Sequence, residues 1–175
     1  MTLDRILDEL MAREGGFSDD PSDRGGATKY GITAATLGNW RGWMRPATAA
    51  EVQALTRVEA KAIYIARYIE QPGFTTANVR DEALRVALID AGVHCGPATA
   101  VKWLQRGLGV KADGVLGRQT IDALSKSDAV LARTGLVKAR CLHYGQLVRD
   151  DATQRRFIVG WLSRALSFLP SEVTG

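Results

Sequence analysis

The sequence predicts a mainly α protein with one small β-hairpin. Three observations lead there. Apolar residues recur at helical spacing through most of the 175 residues. Capping residues, Thr-x-x-Glu or Asp, recur between those stretches. One acidic, glycine-rich segment, residues 14–33, fits neither a helix nor a core strand. With 46% hydrophobic and 24% charged residues, the composition is that of a soluble globular protein. Such a length makes one domain or two tight lobes burying about 70% of the unfolded surface.

The first helix is set by Leu3, Ile6, Leu7, Leu10 and Met11, spaced i, i+3, i+4, i+7, with Thr2 as N-cap. Extending that stripe reaches Glu14, whose carboxyl is expected to leave the helix on the apolar face, partly desolvated, as suits a general acid. Gly15-Gly16 stop the helix. The segment from Glu14 to Thr33 holds four carboxylates (Glu14, Asp19, Asp20, Asp23), five glycines and two threonines. Acidic side chains on such a loop mark a site more than a scaffold. Asp23, between Pro21 and Gly25-Gly26, sits in a polar turn where it should stay ionised. One carboxyl against apolar surface and one in a polar loop is the division of roles in glycosidases. Taken singly, Glu14 also reads as a solvated last-turn residue and the aspartates as turn caps.

Glu-Gly-Gly-Phe at 14–17, followed by Pro-x-Asp-x-Gly-Gly-x-Thr-x-x-Gly-Ile-Thr at 21–33, resembles the signature of the glycoside hydrolase family 108 muramidases. These peptidoglycan-cleaving enzymes occur as phage endolysins and as bacterial proteins described as secretion activators. The second half resembles the helical peptidoglycan-binding region that accompanies that domain, so the likeness covers nearly the whole chain. It implies a lysozyme-like fold, with a catalytic muramidase lobe at 1–92 and a helical peptidoglycan-binding lobe at 93–175 packed as one unit. It also implies hydrolysis of the β-1,4 bond between N-acetylmuramic acid and N-acetylglucosamine. The Glu…Asp…Thr order is similar to that of T4-type phage lysozymes. Carried across, Glu14 is the general acid, and Asp23 and Thr28 position or activate the attacking water. Tyr30, inside the motif, is an expected substrate-binding residue.

Thr33 can cap a helix toward Trp40, and Gly38–Trp43, aromatic and glycine-broken, is expected to be a loop bordering the cleft. Trp40 or Trp43 could stack on a sugar or close the core. Two capping boxes follow, Thr48-x-x-Glu51 and Thr56-x-x-Glu59, the second opening a helix that runs to about Glu70 before Pro72-Gly73. Arg67-Tyr68 resembles a family helix flanking the active site, although Ile69 stands where relatives often carry Trp. Residues 79–93 form another apolar-rich helix. Asp90 and His94, spaced i, i+4, share a face and could hydrogen-bond. They are expected either to contact substrate or to hold a helix corner. Relatives usually show Asn-Ser where this chain has His94-Cys95.

Pro97 suits a helix N1 position, ahead of Ala100, Val101, Leu104 and Leu108. Asp113-Gly-x-x-Gly117-x-x-Thr120 resembles a repeat of peptidoglycan-binding helical modules and reads as a structural turn leading into a helix through Leu124. Asp128 caps a helix to about Arg149, and a basic, apolar-rich helix is expected over 152–168. Its apolar face either packs on the lobe or touches anionic membranes.

Charge is uneven: residues 1–90 carry 11 basic and 13 acidic side chains (net −2), residues 91–175 carry 12 and 6 (net +6). A basic second half favours a polyanionic partner, either an anionic envelope or nucleic acid on charge alone. No nucleic-acid motif is present, so peptidoglycan is the expected partner and a monomer the expected state. The first fifteen residues carry Asp4, Asp8 and Glu9 and lack the features of a signal peptide. The protein is therefore expected to be made in the cytoplasm and released to the wall by a holin, as a phage endolysin is. His94-Cys95 and Cys141-Leu-His143 could form a zinc site only if the fold juxtaposed them, and neither pair has the usual spacing. No metal, cofactor or disulfide is expected. The alternative class is a non-catalytic peptidoglycan-binding or secretion-associated protein.

Overall fold

The computed structural model describes residues 2–19 and 26–169. They form two compact units, one from Thr2 to Arg67 and one from Tyr68 onward. The chain is mainly helical with one two-stranded antiparallel sheet, consistent with the expected lysozyme-like class.

The first unit holds α1 (Leu3–Glu14), the hairpin β1 (Thr28–Lys29) and β2 (Ile32–Thr33), α2 (Ala34–Trp40), α3 (Ala49–Gln53) and α4 (Arg57–Ile65). The α1 stripe buries Ile6, Leu7, Leu10 and Met11, and Ile32, Leu37, Val52 and Ile63 are buried in the same unit. Each expected threonine cap is made: Thr2, Thr33, Thr48 and Thr56 accept from the backbone of the first turn. At Thr48 the box closes, because Glu51 Oε2 accepts from the Thr48 amide at 2.7 Å. At Thr56 it stays half-formed. The Glu59 carboxylate instead accepts from Arg41 Nε and Nη2, each at 2.8 Å, a bidentate ion pair that outcompetes a single amide.

The loop expected at 38–43 begins later, since Gly38, Asn39 and Trp40 form the end of α2. Gly38 permits this, as a Cβ there would collide with the Arg45 carbonyl oxygen. Two guanidinium groups lie over the Trp43 ring, 5.1 Å (Arg41) and 4.8 Å (Arg45) from its centre, whereas Trp40 is 44% exposed.

After α4 the backbone makes a π-helical turn, Ala66–Glu70. The second unit then contains α5 (Glu82–Cys95), α6 (Pro97–Gly107), α7 (Arg118–Lys126), α8 (Ala129–Asp150) and α9 (Ile158–Leu166). Helices α5, α6 and α8 pack on one another, and α9 packs on α8. Leu84, Leu88, Ile89, Trp103, Leu104 and Leu136 are buried there. The helix expected over 79–93 starts after Asp81, whose side chain accepts from the Leu84 amide at 2.7 Å. The helix expected over 152–168 divides into a 3-10 turn, Ala152–Phe157, and α9.

Gln105 explains the Asp-Gly-x-x-Gly-x-x-Thr segment. Its side-chain nitrogen lies 2.8 Å from Asp113 Oδ1 and 3.0 Å from both Val115 O and Thr120 Oγ1, while its oxygen accepts from the Gly114 amide at 2.9 Å. One buried amide thus holds the turn shut, as the structural reading of this segment requires.

Candidate active site

Helix α1 ends because Gly15 adopts φ +82°, which turns the chain away immediately after Glu14. Ser18 then pairs with Thr28 through two backbone hydrogen bonds, 2.9 and 2.8 Å. Thr28 also faces Thr33 across the hairpin. The residues after Glu14 are therefore stitched to the strand carrying the candidate Thr28. The hairpin closes with Tyr30-Gly31, both at positive φ (+53° and +71°), as a two-residue turn of the primed type requires. Tyr30 is the single non-glycine residue with positive φ among the described residues, a conformation that costs about 1 kcal/mol or more.

Two contacts hold the turn. The Tyr30 amide donates to Gly15 O at 3.2 Å, and the buried Tyr64 hydroxyl donates to Tyr30 O at 2.6 Å. Gly31 faces Glu14 directly: a Cβ there would lie 2.8 Å from Glu14 Cγ and 2.6 Å from the Tyr64 oxygen. The Glu14 stem is thus wedged against the turn. Lys29, on the same hairpin, donates to Gln53 O at 2.6 Å and sits 5.4 Å from the Tyr30 ring centre.

This geometry corrects one expectation. Glu14 is exposed, not partly desolvated on the apolar face of α1. The helix stops at that residue, and what lies beside it is the backbone of a turn rather than core side chains. Thr28 and Tyr30 are half-buried in the same unit. Asp23 lies outside the described residues. Sequence reasoning missed Tyr64, whose place in the stripe with Ala60 and Ile63 reads as core; nothing in the sequence reveals where its hydroxyl points.

Asp90 and His94 belong to the second unit. Asp90 is 0% exposed, and both its oxygens are engaged. Oδ2 accepts from Arg140 Nη1 at 2.6 Å, while Oδ1 accepts from Arg164 Nε at 2.8 Å and Nη2 at 2.6 Å. A carboxylate so enclosed cannot reach a polymer, so of the two roles expected of Asp90 its burial favours holding the helix corner over touching substrate. His94 does share its face, with Nε2 at 3.8 Å from Asp90 Oδ1. At that distance the two do not share the hydrogen bond that their spacing allows. Tyr144 extends the cluster, accepting from Arg140 Nε at 2.7 Å. Burial pushes both the Cys95 and Cys141 thiols up, away from the reactive thiolate form. Among the described residues no group of three or more His, Cys, Asp or Glu could hold a metal ion.

A family model described as glycosyl hydrolase 108 matches residues 7–96, the span containing Glu14, Asp23, the hairpin with Thr28 and Tyr30, Asp90 and His94. The chain belongs to the glycosyl hydrolase 108 family. A second model, described as a predicted peptidoglycan domain, matches residues 99–166 of this glycosyl hydrolase 108 protein. A solved structure of SagA from Brucella abortus is 34% identical, with the match covering 97% of each chain at a TM-score of 0.63. No curated protein matches. The two family models meet between residues 96 and 99, whereas packing divides the chain between Arg67 and Tyr68. The physical reason is α5, which falls in the hydrolase match but packs against α6 and α8.

Proposed function

We propose that the protein is an N-acetylmuramidase, cleaving the β-1,4 bond between N-acetylmuramic acid and N-acetylglucosamine in peptidoglycan. The observation that carries this reading is Glu14, whose stem is wedged against Gly31 in the hairpin turn while the residue is exposed. That arrangement supplies a general acid with a fixed root and a carboxyl able to reach the leaving oxygen. In this reading Asp23 and Thr28 position the attacking water and Tyr30 borders the sugar. Water bound by Asp23 and Thr28 would attack the face opposite the acid and invert the anomeric centre. Inversion calls for carboxyls roughly 6.5–9.5 Å apart. The catalytic share belongs to residues 1–92 and wall binding to 93–175, a division supported by where the family models meet.

The same reading takes the protein as a monomeric phage or prophage endolysin, delivered to the wall through a holin. Phe157, Val159 and Leu166, exposed on the last two helical segments beside Arg155 and Arg156, would meet anionic lipid on the way. Lysis on induction only when a holin is coexpressed tests the delivery, and sedimentation with anionic vesicles tests the lipid contact.

The deciding experiment is mass spectrometry of soluble fragments released from purified peptidoglycan. Fragments ending in reducing N-acetylmuramic acid are expected, and Glu14→Gln should abolish them while leaving thermal stability nearly intact. Cut peptides on intact glycan would overturn the bond assignment. Wall binding without fragments would turn the protein into a non-catalytic peptidoglycan-binding factor.

A further inference from the structure

Helices α6 and α8 cross at two glycines. A Cβ on Gly135 would lie 3.0 Å from the Gly107 Cα, and one on Gly107 would lie 3.3 Å from the Gly135 Cα. The backbones touch, and beside the crossing lies a groove of about 420 Å³. Arg106 of α6 and Lys138, Leu142 and His143 of α8 line it.

Two cations, one from each helix, converge on this groove. Arg41, Arg45 and Arg140 are each neutralised by a carboxylate at 2.6–2.9 Å. Arg106 and Lys138 are exposed and have no acidic partner among the described residues. His143 is pushed toward its neutral form, first by burial and then by the charge of Arg106. Its ring is anchored 5.3 Å from that of Trp103. Leu142 is 61% exposed at the groove wall. Two uncompensated cations, a neutral imidazole and an apolar patch suit a short ligand with carboxylates and aliphatic groups.

We propose that this groove binds the acidic stem peptide of peptidoglycan, its carboxylates pairing with Arg106 and Lys138 and its aliphatic parts lying on Leu142. The assignment rests on the peptidoglycan-hydrolase reading above and gives the second unit a ligand distinct from the scissile sugars. Where a stem peptide is attached, the lactyl carboxyl of N-acetylmuramic acid is taken up in the amide bond to it, so the free carboxylates of the peptide are what a cationic groove can select. All four of these lining residues fall inside the span matched by the peptidoglycan domain.

Calorimetry on the full chain tests this, with three probes: a synthetic stem tetrapeptide with free carboxylates, the same peptide amidated, and chitotetraose. The acidic peptide should bind saturably and the amidated one should not. Arg106→Gln with Lys138→Gln should weaken the acidic peptide by roughly tenfold or more, with chitotetraose unaffected. Lys111→Gln with Lys126→Gln, an equal charge change on exposed residues of the same unit away from the groove, should leave peptide binding unchanged. The proposal fails if the acidic peptide does not bind, if both double variants bind equally, or if a teichoic-acid polyphosphate displaces the peptide and binds more tightly. Fragment release by the same preparations keeps the two readings separate. Peptide binding without fragments would remove the hydrolase and leave the groove standing.

Discussion

The Tyr64 hydroxyl donates a 2.6 Å hydrogen bond to the carbonyl oxygen of Tyr30, the described non-glycine residue with φ +53°. A tyrosine of α4 thereby pins the strained hairpin turn on which the Glu14 stem rests. Removing the hydroxyl in Tyr64→Phe deletes that bond and leaves a part-buried carbonyl without its donor. Urea unfolding should show a loss of about 1 kcal/mol. The lytic rate should fall several-fold at nearly unchanged KM, because the loss falls on the support of the acid rather than on sugar contacts. An unchanged kcat would separate the turn from catalysis.

Gly31→Ala is the sharper test of the same wedge. The added Cβ meets both Glu14 Cγ and the Tyr64 oxygen, and the residue must also keep φ +71°. The expected cost is about 1–3 kcal/mol, with lysis impaired beyond that loss. Gly16→Ala, where nothing lies within 4 Å, should change stability little and serves as the control.

Asp90→Asn should damage the second unit. The substitution removes the only negative charge bonded to Arg140 among the described residues, and the Arg140 side chain, 2% exposed, is left as an uncompensated buried cation. The expected destabilisation is about 3–5 kcal/mol by denaturant titration. A loss below about 1 kcal/mol would mean that the guanidinium reaches water when unpaired.

Alkaline stability should report on Tyr144. Burial pushes its phenol up to about 12, while the charge of Arg140 pulls the other way. The folded state therefore keeps a proton that the unfolded chain releases near its ordinary pKa of about 10. Stability from this group is complete below about pH 10 and declines as pH rises toward 12. Comparing wild type with Tyr144→Phe across that window should show a slope in the wild type that the variant lacks.

Much of the fold was legible because helix signals are local. The α1 stripe, the threonine caps and Asp128 act within a few residues of themselves, so spacing alone places them. Where a long-range partner competes, the local signal misleads. The Thr56 box stays open because Arg41 claims Glu59, and α2 continues through Gly38 because another backbone segment packs where a side chain would stand.

The sequence by itself determined the acidic glycine-rich signature, the identity of Glu14, Thr28 and Tyr30 as candidates, and the helical class. Those depend on residue order and short periodicities. Only the tertiary structure decided that Glu14 is exposed, that Tyr64 braces the turn beneath it, and that Asp90 is enclosed by arginines 50 and 74 residues away. Charge pairing and desolvation depend on through-space distance, and no periodicity along a chain encodes which distant guanidinium arrives.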